Sequence, residues 1–109
     1  MASNGEIDQS AQHERALAER SQARYVLELF VTGLSALSIR AIGEVKDVCE
    51  ERLPGRYELT IVDISRHPEK AREQQLIAVP TLIKHQPLPV RRLIGDLSNR
   101  QRVLAGLNL

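Results

Sequence analysis

Aromatic side chains are almost missing: two tyrosines, one phenylalanine and no tryptophan in 109 residues. A core must therefore be built from Leu, Ile, Val and Ala, and the stacking platforms that single-stranded nucleic acid needs are not available. Cysteine is limited to Cys49. One thiol excludes an internal disulfide and two-cysteine redox chemistry, and within a helical pattern it reads as a small buried hydrophobe in a reducing compartment. Excess charge is missing too. Fifteen Lys and Arg against fourteen Asp and Glu leave +1, too little for a general electrostatic grip on DNA. No apolar run approaches the roughly 20 residues of a membrane span, and the N-terminus lacks the apolar core of a secretory signal. No Gly-rich phosphate loop, carboxylate cluster or metal-ligand spacing occurs. The expectation is a cytoplasmic, single-domain protein with no cofactor, no metal, no nucleic acid and no membrane partner.

Residues 1–23 are polar and rich in Ala, Glu, Gln and Arg. Ala11–Ala23 has helical composition, but Leu17 is its only large apolar residue, and a helix without a face to bury is marginal in water. The reading is an arm, loosely helical when partnered, with His13 solvated; residues 24–109 form the domain.

Tyr25–Val31 is almost continuously apolar, broken only by Glu28, and predicts a strand buried on both faces. Leu34, Leu37 or Ile39, Ile42, Val45, Val48 or Cys49, and Leu53 form a helical stripe. Ser35 or Ser38 supplies its N-cap, and Pro54-Gly55 stops it. Gly43 within it costs about 1 kcal/mol against Ala, a cost that a strand passing close by would explain. Tyr57–Asp63 alternates as a second strand, so the first 40 ordered residues make a βαβ unit with parallel strands. His67 sits at a loop or cap before a short helix opened by Pro68 and carried on through Lys70–Gln75.

Ala78–Asp96 holds three of the five prolines, Pro80, Pro87 and Pro89, two short β-like runs, and the pair Arg91–Arg92. An X-Pro bond before a strand is where a cis peptide costs least. Ser98-Asn-Arg-Gln101 reads as a capping box for a last helix, Asn99–Ala105, ended by Gly106.

The order β-α-β-α-β-β-α, with Val79-Pro80-Thr81 opening the third strand and Gly95-Asp-Leu-Ser-Asn before the last helix, resembles the thioredoxin-like pattern. The redox enzymes of that fold need Cys-x-x-Cys at the first strand-to-helix junction, where the helix N-terminus lowers a thiol pKa. Here the junction reads Thr32-Gly-Leu-Ser-Ala-Leu37. Thiol–disulfide catalysis is excluded, and Ser35 and Ser38 are better read as caps than as nucleophiles. This points to a binding module.

From Tyr25 to Leu109 the chain resembles the KaiB family. The carrying residues are Tyr25-Val-Leu, Leu29, Val31, Gly33, Ser38-Ile-Arg-Ala41, Tyr57, Val62-Asp63, Pro68, Ala78-Val-Pro-Thr-Leu82 and above all Pro89-Val-Arg-Arg-Leu-Ile-Gly-Asp-Leu-Ser-Asn-Arg100. The resemblance implies an α/β protein without catalysis. Its partners would be the hexameric ATPase KaiC and, through that complex, KaiA and a sensor histidine kinase. The resemblance also implies two folds: a thioredoxin-like form that binds KaiC, and a tetrameric ground state, β-α-β-β-α-α-β, expected in crystals of the free protein. The short apolar runs Leu76–Leu82 and Val90–Leu97 suit such bistability, since periodicity alone does not assign them.

By position, the resemblance implies partner contacts at the surface residues Arg40, Tyr57, Lys84, Arg91 and Arg92. It assigns a bias between folds to Tyr25, Gly106 and Asn108, and makes Pro80, Pro87, Pro89, Gly95 and Asp96 parts of the rebuilt segment. Gln75 stands where a lysine is usual and Asn108 where an aspartate is. An acidic tail is absent and the N-terminal arm is added. These departures imply a member outside the standard oscillator, serving a clock or stress adaptation.

Overall fold

The apolar run Tyr25–Val31 forms β1 and lies inside a four-stranded sheet of order β2-β1-β3-β4. The structure, a computed structural model, describes residues 23–33 and 35–109; the expectations for the arm, His13 and Leu34 lie outside them. On one side β2 (Tyr57–Asp63) runs parallel to β1, with Tyr57 opposite Tyr25 and Asp63 opposite Val31. On the other side β3 (Thr81–Gln86) runs antiparallel, with Ile83 opposite Glu28 and a bulge at Val26/Leu27. At the far edge β4 (Arg91–Ile94) pairs antiparallel with β3, Arg91 opposite Lys84. The helices are α1 (Ala36–Arg52), α2 (Pro68–Glu73) and α3 (Arg100–Gly106). Residues 64–109 thus read α-β-β-α, completing the thioredoxin-like order β-α-β-α-β-β-α, and not the β-α-α-β alternative.

Alternation along β1 sends Leu27, Leu29 and Val31 to one face of the sheet. They pack against Ala41, Val45, Val48 and Cys49 of α1 and against Val103 and Leu104 of α3. The Tyr25 hydroxyl donates to the Leu107 carbonyl at 2.9 Å, tying the end of α3 to the first strand. On the opposite face Phe30, Val62 and Ile83 form a small second cluster, capped by Ile64, Leu76 and Val79. The helix α2 adds no buried residue to it. Burial of β1 on both faces therefore holds only at its C-terminal end; Val26 and Glu28 are half-buried.

Several local expectations are corrected. Leu37 and Ile39 point outward, 59 % and 53 % exposed. Ser35 caps α1, and the inward stripe it sets is Ser38, Ala41, Val45, Val48 and Cys49. No strand approaches Gly43: a Cβ there would meet nothing within 4 Å. The helix interior with open space around it leaves only the backbone cost of glycine. Gly43→Ala should accordingly stabilise the fold by about 1 kcal/mol, read as a raised urea midpoint.

The last helix is capped by Asn99, whose side chain accepts the Arg102 N–H at 3.3 Å, and not by Ser98, which is bonded to Asp96. Gly106 falls inside α3 rather than after it. A Cβ there would lie 2.5 Å from Leu93 Cγ, so α3 approaches β4 closely at this point.

Cys49 is fully buried as expected. Burial, with the nearby Glu50 charge second, pushes its thiol up from 9.0 to about 11. Above pH 9 the unfolded thiol loses its proton while the folded one keeps it. Stability should then fall by about 2–3 kcal/mol between pH 9 and 11. Cys49→Val should remove that part of the slope in urea titrations at stepped pH. The Tyr57 hydroxyl donates to Glu50 and is thereby pushed up to about 12.

Candidate functional site

The junction after β1 is where a redox enzyme of this fold would carry its thiols. Ser35 and Ser38 stand there as a Ser-x-x-Ser pair. Ser35 Oγ accepts the Ser38 N–H at 3.2 Å, and the two hydroxyls lie 2.9 Å apart. Ser38, itself buried, accepts the Thr32 N–H at 3.1 Å. Gly33, at φ +53°, donates its N–H to Asp63 Oδ1 at 3.0 Å. Asp63 also accepts from the Ser65 hydroxyl at 2.6 Å and the Ser65 N–H at 3.0 Å. The Ser65 hydroxyl first, then the Gly33 amide, hold this carboxyl below the usual range. Both serines and the nearby carboxylate thus close the loop onto itself, and no imidazole is hydrogen-bonded to either serine among the described residues.

Beside this junction lies an open groove of about 320 Å³. Leu37 from the first turn of α1, Ala78-Val79-Pro80 before β3, Ile94 at the end of β4 and Gly95–Ser98 after it line it. The Val79–Pro80 bond is cis, and Thr81 Oγ1 donates to the Ala78 carbonyl at 2.7 Å. Gly95 adopts φ +110°, a left-handed conformation that suits glycine. Asp96 accepts the Ser98 hydroxyl and, at 3.0 Å, the Ser98 N–H. The two bonds, with Arg102 and Arg40 adding their charge, hold its carboxyl low. The groove is mainly aliphatic with one carboxylate at its rim. Among the described residues no group of three or more His, Cys, Asp or Glu is placed to hold a metal ion.

The opposite end of the sheet carries the turn between β3 and β4, residues 87–90, with both the Gln86–Pro87 and Leu88–Pro89 bonds cis. Lys84, expected at the surface, is only 3 % exposed. Its ammonium donates to the Pro87 carbonyl at 2.7 Å, and burial, then the Arg91 charge, lowers its pKa. Arg91 and Arg92 are exposed; alternation along β4 sends them to opposite faces of the sheet edge. Tyr57 opens β2, three strand spacings away or roughly 14 Å. Arg40 lies near the start of α1, at the groove end, close enough to Asp96 to act on its charge. The structure therefore gathers Lys84, Arg91 and Arg92 at one corner and separates Tyr57 and Arg40 from them. Tyr25, Gly106 and Asn108 do come together, since the Tyr25 hydroxyl binds the Leu107 carbonyl between the other two. Asn108 sits at φ +61°, a region asparagine tolerates.

Two features escaped the sequence reading. His85 Nε2 meets Glu28 Oε1 at 2.6 Å, bridging β3 and β1. The interruption of an apolar strand by Glu28 was the available signal. Leu88 and Val90 are 77 % and 55 % exposed on the turn beside the arginines; their place among prolines hid them.

The fold and the junction define a thioredoxin-like protein with serines where the redox thiols would stand. Solved structures agree on the fold. The N-terminal domain of Synechococcus elongatus SasA superposes with a TM-score of 0.63 at 22 % identity, covering 79 % of this chain and 85 % of that one. Saccharomyces cerevisiae mitochondrial thioredoxin 3 gives 0.64 at 15 %, covering 81 % and 80 %. Sequence relatives are closer. The circadian clock oscillator protein KaiB of Synechococcus elongatus is 46 % identical over 85 residues, 78 % of this chain and 83 % of the relative. Its namesake in a Nostoc species is 43 % identical over 90 residues, 83 % of each. Residues 28–109 match the KaiB domain. The chain belongs to the KaiB family.

Proposed function

We propose that this protein is a non-catalytic regulator that binds a KaiC-type hexameric ATPase and shifts its phosphorylation or ATPase state. The carrying observation is membership of the KaiB family over residues 28–109, combined with a junction whose hydroxyls and carboxylate are engaged in loop closure. Membership supports the partner, and the junction supports a role by binding rather than by thiol chemistry. The contacts proposed for that partner are Arg91 and Arg92 directly, with Lys84 behind them as the buried strut of the turn. Arg40 and Tyr57 serve as separate peripheral points. Through the same complex KaiA and a sensor histidine kinase are secondary partners, and the free chain is a dimer or tetramer in the cytoplasm. Residues 1–23 are an arm outside the KaiB domain.

The output is a rhythm, or stress adaptation by a KaiB–KaiC pair alone; Gln75 and Asn108 are the departures that favour the second. The test is size-exclusion chromatography of this chain with ATP-loaded KaiC from the same genome. A complex that builds up over hours is expected. No complex after a day would remove the partner. Measurable turnover in an insulin-reduction assay would instead restore a redox role.

A further inference from the structure

We propose that the β3–β4 turn is a preorganised anchor, with Leu88 entering an apolar socket on the partner protein and Arg91 and Arg92 meeting carboxylates at the socket's rim. This rests on the regulatory-binding reading above and assigns it a contact that family position does not.

Large aliphatic side chains elsewhere in the domain mostly find cover, yet Leu88 and Val90 stand 77 % and 55 % exposed within one four-residue turn. The turn is not loose. Pro87 and Pro89 fix φ on either side of Leu88. Below them the Lys84 ammonium, on a side chain buried to 3 % exposure, donates to the Pro87 carbonyl at 2.7 Å. A projection fixed in this way has little conformational freedom to lose on docking, which favours affinity. Its charge has one sign. From Ile83 to Gly95 there is no Asp or Glu, and Glu28, opposite Ile83 on β1, is already bonded to His85. An apolar tip with arginines beside it is the arrangement in which a few residues dominate a protein interface, and the arginines select a socket edged by carboxylates. A lipid surface fits less well. Two aliphatic tips and two arginines, with no aromatic residue on the turn, fall short of the double signal that stable membrane attachment requires.

The experiment compares the full chain with Leu88→Ser, Leu88→Met and Ile77→Ser for binding to the nucleotide-loaded KaiC-type ATPase by biolayer interferometry. Melting curves run in parallel. Leu88 is exposed, so Leu88→Ser should melt as the unsubstituted chain does while binding about tenfold more weakly through faster dissociation. Leu88→Met keeps an apolar tip of similar volume and should bind within about twofold. Ile77→Ser, at a residue still more exposed but outside the turn, should bind within the same limit. Binding of Leu88→Ser within about twofold of the unsubstituted chain overturns the anchor and leaves the regulatory reading standing. No complex with the unsubstituted chain overturns both. Leu88-dependent binding to phosphatidylserine vesicles in a flotation assay would overturn the protein socket in favour of a membrane.

Discussion

Phe30→Ala should lower stability by about 3–5 kcal/mol and, in the same step, free the segment from Ile64 to Val79. Phe30 is the only phenylalanine and is fully buried at the centre of the smaller cluster, against Val62 and Ile83. That cluster has little else to close over it. The six-residue α2 contributes no buried side chain, so the segment carrying it is held chiefly by Ile64, Leu76 and Val79 against Phe30 and its neighbours. Removing the ring leaves a cavity between a rigid sheet and a thin cover. The cover, rather than the sheet, should give way. Urea unfolding reads the first part. Hydrogen exchange reads the second, with amides around α2 losing almost all protection through local release while those of α1 fall only by the global loss. A loss below about 1 kcal/mol, or protection lost evenly over the whole chain, would show that the segment is held by something other than this contact.

That dependence also explains how far the sequence was legible. The βαβ half could be read because its signals agree: an apolar strand, a stripe at helical spacing, a serine cap, a Pro-Gly stop and an alternating strand. Even there the phase of α1 slipped. Leu37 and Ile39 looked like core because they are large and apolar, whereas the cap at Ser35 turns the smaller Ser38 and Ala41 inward. Hydrophobicity alone ranks these residues wrongly, since it carries no information about rotational phase. The second half was harder for a different reason. Its elements are short, and the family resemblance allowed two arrangements for them. Lys84 shows the limit most plainly. As a charged residue in a strand-like run it reads as surface, and only the placement of the Pro87 carbonyl 2.7 Å from its ammonium makes burial tolerable. Such a bond between residues on either side of a turn leaves no trace in periodicity. The candidate site was legible in part: the missing thiols and the arginine pair were plain, while the separation of Arg40 and Tyr57 from that pair needed the sheet order.

Reversing the arginine pair gives the largest expected effect on binding. Arg91→Glu with Arg92→Glu changes the corner beside the turn by four charges while leaving the fold nearly untouched, because both side chains are exposed and neither has an acidic partner among the described residues. The two residues flank one strand at the sheet edge, so a partner meeting either face of that edge, or its rim, experiences the change. Lys84 remains buried beneath and keeps the turn in place. For a partner that presents carboxylates, attraction becomes repulsion, and the association rate should suffer most. If the proposed KaiC-type ATPase is the partner, about 100-fold weaker binding to it is expected near 50 mM salt. The deficit should narrow to about tenfold near 500 mM, where the Debye length shrinks to roughly 4–5 Å. Salt dependence separates this corner from the apolar tip: the Leu88→Ser loss should persist at high salt, and the arginine loss should fade. A double variant that binds as the unsubstituted chain does at low salt would move the interface elsewhere, with the groove lined by Leu37, Pro80 and Asp96 the next surface to test.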